Sequence, residues 1–485
     1  MSMAQYLWAV ARGLQTQVHP ETPAGAARDT LTNSIHILTV IANALEPDAP
    51  AAIARPHAVP PAAARADTDR LRGPAENSAA YGDTGAALAE ASRALDASSE
   101  AAGYGPGPAH ELIRWEKALI DAAISRMDSV VQAKPVAQHA PELGIDPGKL
   151  QAFLRRRLSL ERLEICDFKP VLGGRSRQTA LFSLREAPGI ASELVVQRLM
   201  PGLKASSAFA PMATQYEVLD RLHASGLKVP KPFCFDAGSE VLGAPFLVTE
   251  RTQGSVVQPD YWSPPESRKV ALQLAEQMAR LHAVPAADLT HVVSRARSRN
   301  DIEGWRTELE RLGSDWHATA HWPSATVSAA LAWLRNNVGC VEARETLVHN
   351  DMVFHNILAE GDQLTAILDW EQISIGHPAE DLGYCYPAVA ACLDWSEFLD
   401  AYHAAGGARI SPREIDYFAL RAILRLMILV LLGGRNGFEE GQGQDVLLAS
   451  AGAFFSQRLL HRFAQVLEAV LERDARRSPV SSARA

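Results

Sequence analysis

From Ile165 to Arg251 the hydrophobic pattern has the period of strands and turns, and beyond Arg251 it has the period of helices. Phe168 to Leu172 leads into Gly173-Gly174-Arg175-Ser176-Arg177-Gln178-Thr179, and Ala180 to Leu184 returns. Glu193 to Arg198 is a further strand that ends on a cation before Pro201. A helix from about Ala210 to Ala224 carries Tyr216, Leu219 and Leu222 at three-residue steps. Val229-Pro230-Lys231-Pro232 breaks it, and Phe233 to Phe235 and Ala244 to Arg251 complete a small β-rich lobe. Strands with one helix, followed by a run of helices, define an α+β chain. The glycine turn lets backbone N–H groups approach a phosphate closely, although a Gly-Gly turn between strands also serves as a plain hairpin.

The helical part contains Leu347-Val348-His349-Asn350-Asp351-Met352-Val353-Phe354-His355-Asn356-Ile357-Leu358, and then Asp369 in Ala366-Ile367-Leu368-Asp369-Trp370. A hydroxyl that attacks a phosphorus atom needs an acceptor for its proton and divalent ions to neutralise the phosphate oxygens. Magnesium takes hard oxygen ligands, which carboxylates and amide carbonyls supply. Asp351 and Asn356 are far enough apart along a loop for one to face the acceptor and the other the metal. Asp369 closes the apolar run Leu364 to Leu368, a short buried strand. A single Asp or Asn in a loop is as readily a turn former or a cap. The joint pattern of His-x-Asp, Asn, strand and Asp-Trp is what points to phosphoryl transfer.

The 485 residues exceed one ordinary domain, and 47% of them are hydrophobic, enough for a sizeable core. A formal net charge of −9 argues against nucleic acid as the main partner. Cys166, Cys234, Cys340, Cys385 and Cys392 are dispersed, with no C-x-x-C pair. They read as reduced thiols of a cytoplasmic protein. Met1 to Ala11 holds no Lys or Arg, so no signal peptide is expected. Leu426 to Leu432, the longest apolar run, is too short to span a bilayer and reads as a buried helix.

Residues 1–150 are rich in Ala and Pro and lack strand-like runs, which predicts an all-α N-terminal accessory domain. Leu31, Ile35, Leu38, Ala42 and Leu45 mark one amphipathic helix, and helical patterning returns at Thr84 to Ala101. Leu112, Trp115, Leu119 and Ala123 mark a stronger helix over Pro108 to Val131. A linker near 47–82 separates them, with six prolines between Pro47 and Pro74. No chemical constellation is evident here, and the region is the natural place for a homodimer or partner contact. Pro147 to Leu158 is a helix with Arg155, Arg156 and Arg157 on a solvated face. Ser263-Pro264-Pro265-Glu266 and Ser411-Pro412-Arg413-Glu414 are helix starts of the capping-box type. A last helix from about Asp445 to Arg473 finishes the chain.

A β-rich lobe with a glycine turn, a cation-ended strand and a hinge, followed by helices carrying this loop, resembles the aminoglycoside phosphotransferase and choline kinase superfamily. The match covers roughly 160–475. The look is closest to the kinase-like domains of acyl-CoA dehydrogenase family members ten and eleven. Gly173-Gly174-Arg175-Ser176, Val196-Gln197-Arg198, Thr249-Glu250-Arg251, His349-Asn350-Asp351, Leu368-Asp369-Trp370-Glu371 and Asp381-Leu382 stand in the order expected there. The resemblance implies a two-lobed protein-kinase-like fold, with an N-lobe at 160–255 and a helical C-lobe at 256–475.

The resemblance also implies that ATP and Mg2+ are used to phosphorylate a hydroxyl of a small molecule: a metabolite, a xenobiotic or a hydroxyacyl-CoA. Asp351 would be the catalytic base, with Asn356 and Asp369 as metal ligands. Arg198 would be the nucleotide-facing cation. Gly173, Gly174, Arg175 and Ser176 would cover the phosphates, and backbone groups of Glu250 and Thr252 would meet the adenine edge. His349 and Asp381 would brace the loop. No nucleic acid and no membrane enter this reading.

Three positions depart from the pattern. Asn350 stands where glycine is usual, and Asn accepts left-handed backbone angles. Arg177 and Gln178 alter the phosphate loop. Gln215 stands where an acidic partner for the cation is expected, so that pair is absent or another acid supplies it. Two other functions compete with the leading one. An aminoglycoside-type phosphotransferase would need acids such as Glu371, Asp394 and Glu397 for a polycation, and a non-catalytic nucleotide-binding scaffold would fit the Gln215 departure. The eleven residues between Asp369 and Asp381 are too few for the activation segment of a protein kinase. Trp305, Trp370, Tyr384 and Tyr386 are candidates for the acceptor wall, or simply core.

Overall fold

The computed structural model describes residues 3–22, scattered positions between 28 and 39, and residues 108–130, 145–171, 177–199, 209–258, 267–294, 301–320, 324–439 and 446–477. The proline-rich stretch 47–82, the helix expected at 84–101, the turn Gly173 to Ser176 and the cap Ser263 to Glu266 lie outside them.

In chain order the helices are α1 (Met3–Gly13), α2 (Pro108–Val130), α3 (Pro147–Leu158), α4 (Met212–Ala224), α5 (Arg268–Ala283), α6 (Ile302–Thr319), α7 (Ala325–Asn337), α8 (Ala379–Val389), α9 (Trp395–Ala404), α10 (Pro412–Glu439) and α11 (Val446–Arg477). The strands are β1 (Glu164–Val171), β2 (Arg177–Arg185), β3 (Glu193–Leu199), β4 (Pro232–Asp236), β5 (Phe246–Glu250), β6 (Ser255–Val256), β7 (Thr346–Val348), β8 (Ile357–Glu360), β9 (Gln363–Ile367) and β10 (Ser374–Gly376). The chain divides into two compact units, Met1–His139 with Asp301–Val341 and Leu420–Ala485, and Ala140–Asn300 with Glu342–Ala419. Among the described residues no helix is long and apolar enough to cross a membrane.

The second unit holds the α+β part. Five antiparallel strands run in the order β1-β2-β3-β5-β4. Alternation gives the sheet one apolar face, and Ala180, Phe182, Leu194, Val196, Phe246 and Val248 pack there against Leu150 and Leu154 of α3. Asp146 caps α3 by accepting from Gly148 and Lys149 N–H. α4 packs on β4 and β5, with Tyr216 and Phe235 rings 5.0 Å apart. After the sheet the chain passes Gly254, whose φ is +121°. A Cβ there would lie 2.8 Å from the Ala359 carbonyl oxygen and from Thr365 Oγ1, so only glycine lets this connection reach β8.

Two helix starts illustrate local control. Ser411 and Glu414 form the reciprocal pair expected, with Glu414 N–H donating to Ser411 Oγ (3.2 Å) and Ser411 N–H to Glu414 Oε2 (3.0 Å). At the other start, α5 opens at Arg268 and Ser267 is its cap, accepting from Val270 N–H.

The first unit is helical among the described residues. α2 packs on α7 and α11, burying Leu112, Trp115, Leu119 and Met127. Glu116, on the same buried face and 2% exposed, accepts from Thr326 N–H (2.6 Å) and Oγ1 (2.7 Å) in the first turn of α7. A carboxylate suits a helix N-terminus, where amide donors lack intrahelical partners. Burial raises the Glu116 carboxyl above the ordinary range against the opposing Thr326 and Ser324 hydrogen bonds. A folded value above the unfolded one gives stability that is full below the ordinary glutamate range and is lost as pH rises through the raised value. Glu116→Gln is therefore expected to flatten this limb of the stability–pH curve while keeping an acceptor. Glu116→Ala, which leaves Thr326 N–H unpaired, is expected to cost about 1–3 kcal/mol in denaturant melts.

Candidate active site

The loop from His349 to Asn356 is held between two small β pairings. β7 pairs with β10, Val348 opposite Ser374, and β8 pairs with β9, Ile357 opposite Ile367. Residues just outside these ladders therefore meet. Leu368 N–H donates to the Asn356 carbonyl (2.8 Å), which brings Asn356 and Asp369 to the same hairpin end. Asn356 Nδ2 donates to the Asp351 carbonyl (2.9 Å), so the amide nitrogen holds the loop and the amide oxygen is the atom left for a ligand role.

Two residues have left-handed backbone angles. Asn350 has φ +64° and Asp369 φ +62°. Asn and Asp adopt this region more readily than other side chains, and here each is held firmly. Asn350 Nδ2 donates to the Gln372 carbonyl (3.0 Å) and Ser374 Oγ (2.9 Å). Its N–H donates to Asp381 Oδ1 (2.7 Å), and His349 N–H donates to Asp381 Oδ2 (2.9 Å). Asp381 is fully buried and also meets His282 Nε2 at 3.1 Å, whose other ring nitrogen reaches the Tyr402 hydroxyl at 2.8 Å.

His349 is completely buried. Its Nδ1 accepts from Asp351 N–H (3.2 Å), which puts the ring proton on Nε2, 2.9 Å from the Leu368 carbonyl. The ring also meets Trp370 edge to face at 4.5 Å. With both nitrogens engaged by backbone groups, His349 sets the loop's shape.

Asp351 is 14% exposed, and its Oδ1 lies 3.4 Å from His355 Nε2. Burial pushes its carboxyl up, but the His355 charge and hydrogen bond, the Tyr384 hydroxyl and His349 together hold it below the ordinary value. Asp369 moves the other way. Its surroundings desolvate it, Arg177 opposes the rise, and the Asp351 charge adds to it. The negative charge of one carboxylate thus bears on the other.

Arg177 of β2 is 5% exposed, with Nε 3.1 Å from Glu371 Oε2, Nη2 2.9 Å from the same oxygen and 3.8 Å from Asp369 Oδ1. Arg198 of β3 is 4% exposed on the apolar face of the sheet, and its Nε and Nη1 have no hydrogen-bond partner among the described residues. Glu250 ends β5, its N–H donating to the Lys231 carbonyl (2.8 Å) and its carboxylate pairing with Lys231 Nζ (2.8 Å). Thr252 follows in the segment before Gly254. Gly173, Gly174, Arg175 and Ser176 lie outside the described residues.

The structure therefore gathers Asp351, Asn356 and Asp369 and sets beside them His355, Tyr384, Arg177 and Glu371. From the sequence Tyr384 is a candidate for the acceptor wall, Glu371 for a polycation site and the Arg177 amide for the phosphate loop, and only His355 has no expected role. His355 was marked only by its position four residues after Asp351. Trp370 and Trp305 are core, 2% and 1% exposed. Tyr386 packs edge to face on Trp395. A shallow cavity of about 630 Å³ lies at α3, lined by Lys149, Arg155, Arg156 and Glu240 among others, and includes none of the catalytic-loop residues.

Among the described residues no cluster of three or more His, Cys, Asp or Glu side chains could hold a metal alone. One carboxylate and one amide oxygen still fit magnesium, which keeps several waters and shares substrate phosphate oxygens in place of a full protein cage.

An antiparallel sheet followed by helices, with an acid, an amide and a second acid around one braced loop, defines a kinase-like phosphotransferase. Residues 167–423 match the phosphotransferase enzyme family, APH, and the chain belongs to it. Acyl-CoA dehydrogenase family member 11 of Homo sapiens is 25% identical over 260 residues, 51% of this chain and 32% of that protein. The chain thus spans about a third of that relative's length. Viomycin phosphotransferase of Streptomyces vinaceus is 27% identical over 224 residues, 44% of this chain and 73% of that protein. The crystal structure of a macrolide 2'-phosphotransferase from Brachybacterium faecium superposes with a TM-score of 0.44 at 18% identity, covering 63% of this chain and 97% of that one.

Proposed function

We propose that this chain transfers the terminal phosphoryl group of ATP to a hydroxyl of a small molecule, with Asp351 orienting that hydroxyl and receiving its proton. The observation that carries the reading is the geometry around Asp351. Its backbone is tied by His349 and Asn356, while its carboxylate is largely but not fully buried, held ionised by His355 and Tyr384, and left with an Oδ1 that makes no well-aligned hydrogen bond among the described residues. A depressed value makes Asp351 a weak base. That suffices for a loose phosphoryl-transfer transition state, in which the attacking hydroxyl has to be aimed more than ionised beforehand.

Asn356 and Asp369 would hold magnesium, which neutralises charge on the phosphates when bound. The Glu250 N–H is taken by the Lys231 carbonyl, so the Glu250 carbonyl and backbone groups of Thr252 would meet the adenine edge, and the turn at Gly173 to Ser176 would cover the phosphates.

The acceptor is read as other than a polycation. Of the six acids that could have drawn an aminoglycoside, Glu371, Asp394, Glu397, Asp400, Glu439 and Glu440, three are engaged elsewhere: Glu371 by Arg177, Glu397 by Arg268 and Asp394 by the start of α9. Incubating the protein with ATP and magnesium against hydroxyacyl-CoAs, amino alcohols, sugars, phenols and aminoglycosides tests the proposal. The expected result is a gain of one phosphoryl mass on a non-cationic alcohol. Nucleotide binding with no acceptor modified in any class would favour a scaffold role.

A further inference from the structure

The two faces of the five-stranded sheet differ chemically, and Arg177 and Arg198 lie on opposite ones. Alternation along β3 groups Leu194, Val196 and Arg198. Cross-strand pairing sets Phe182 opposite Leu194, Ala180 opposite Val196, and Arg198 opposite Gln178 and Phe246. This is the apolar face against α3. The other face carries Val195 and Gln197 of β3 with Thr179 and Arg177 of β2, since Thr179 is opposite Gln197 and Arg177 opposite Leu199.

On that second face Arg177 reaches Glu371 and Asp369, and its Nη1 donates to Gln197 Oε1 (3.3 Å). Arg198 has no carboxylate partner among the described residues, and burial lowers its pKa. A Cβ at Gly243 would stand 3.5 Å from its Nη2. Its strand position therefore points it away from the face on which Asp369 is reached.

Gln215 fits the same arrangement. Its Nε2 donates to the Ala210 carbonyl (2.6 Å), and Ala210 N–H donates to the Glu371 carbonyl (2.6 Å). The α4 position at which an acid was expected thus anchors the backbone of Glu371, and Glu371 supplies the acid that Gln215 lacks.

We propose that Arg177, and not Arg198, is the cation that contacts the nucleotide phosphates, with its positioning ion pair moved from the β3–α4 location to Arg177 and Glu371. This rests on the phosphotransferase reading above. Arg177 is fixed by Glu371 on one side and faces the metal-ligand candidate Asp369 on the other. A guanidinium held in that way presents its remaining donors to phosphate oxygens.

The test is binding of ATP with magnesium, and separately of adenosine, to wild type, Arg177→Gln, Arg177→Lys and Arg198→Met, by calorimetry, with thermal melts to show that each variant is folded. Arg177→Gln is expected to weaken ATP by about 10–100-fold, the loss of charge-assisted hydrogen bonds, and to leave adenosine binding unchanged. Arg177→Lys should recover part of the ATP affinity, and Arg198→Met should keep all of it. The assignment is overturned if Arg177→Gln binds ATP as wild type does, if it loses ATP and adenosine equally, or if Arg198→Met carries the loss. A wild type that binds no ATP overturns the phosphotransferase reading, and this assignment falls with it.

Discussion

Replacing Asp351 by alanine is expected to lower the rate of phosphoryl transfer by about 100-fold or more, the scale of one positioned general base, while ATP affinity and folding stay near wild type. The separation follows from how the residue is held. The loop is tied through the Asp351 main chain, whose N–H meets His349 Nδ1 and whose carbonyl accepts from Asn356. Among the described residues the side chain has His355 and Tyr384 as its hydrogen-bond partners, neither of them a backbone group. Truncation thus removes the group that aims the acceptor and keeps the loop that carries it. Parallel measurement of kcat and of ATP binding checks this, and a variant that lost both would show that the carboxylate is structural.

The largest expected effect on stability belongs to Asp381→Ala. This carboxylate is fully buried and accepts from two consecutive backbone N–H groups, of His349 and Asn350, as well as meeting His282. Its removal leaves two buried donors unpaired at about 1–3 kcal/mol each, so a loss of roughly 3–5 kcal/mol is expected, in the range for breaking a buried charged network. Asp381→Asn keeps one acceptor oxygen and should lose less. Denaturant melts give the size of the effect, and activity should fall in both variants, more in Asp381→Ala, because the left-handed turn at Asn350 then loses backbone anchorage and keeps only its side-chain bonds to Gln372 and Ser374 in full.

Much of this arrangement is legible in the residues. The strand period marks the sheet between Glu164 and Glu250 because one of its faces is apolar against α3. The capping box at Ser411 and Glu414 is a local contact, and such contacts are readable over four residues. Asn350 is read as tolerating a left-handed angle, and it has one. Asn356 and Asp369, thirteen residues apart, come together because a tight β8–β9 hairpin folds the two ends of the motif together.

Long-range pairing is what a linear pattern does not carry. Glu116 finds Thr326 more than two hundred residues away, and nothing near Glu116 in the sequence announces an acceptor for a helix start. Arg177 reaches Glu371 across a comparable separation. The facing of Arg198 was within reach, since Leu194, Val196 and Arg198 share the period of an apolar face. A cation at a strand end draws attention to its charge and away from its register.

The central claim is that Asp351 directs the terminal phosphoryl group of ATP onto an acceptor hydroxyl. It is tested most directly by following a label in the terminal phosphate of ATP, with wild type and Asp351→Asn side by side on the acceptor found by the panel above. The account predicts label in the acceptor with wild type and almost none with Asp351→Asn at equal ATP occupancy. Equal labelling by the two proteins, or label released by wild type only as inorganic phosphate, would contradict it.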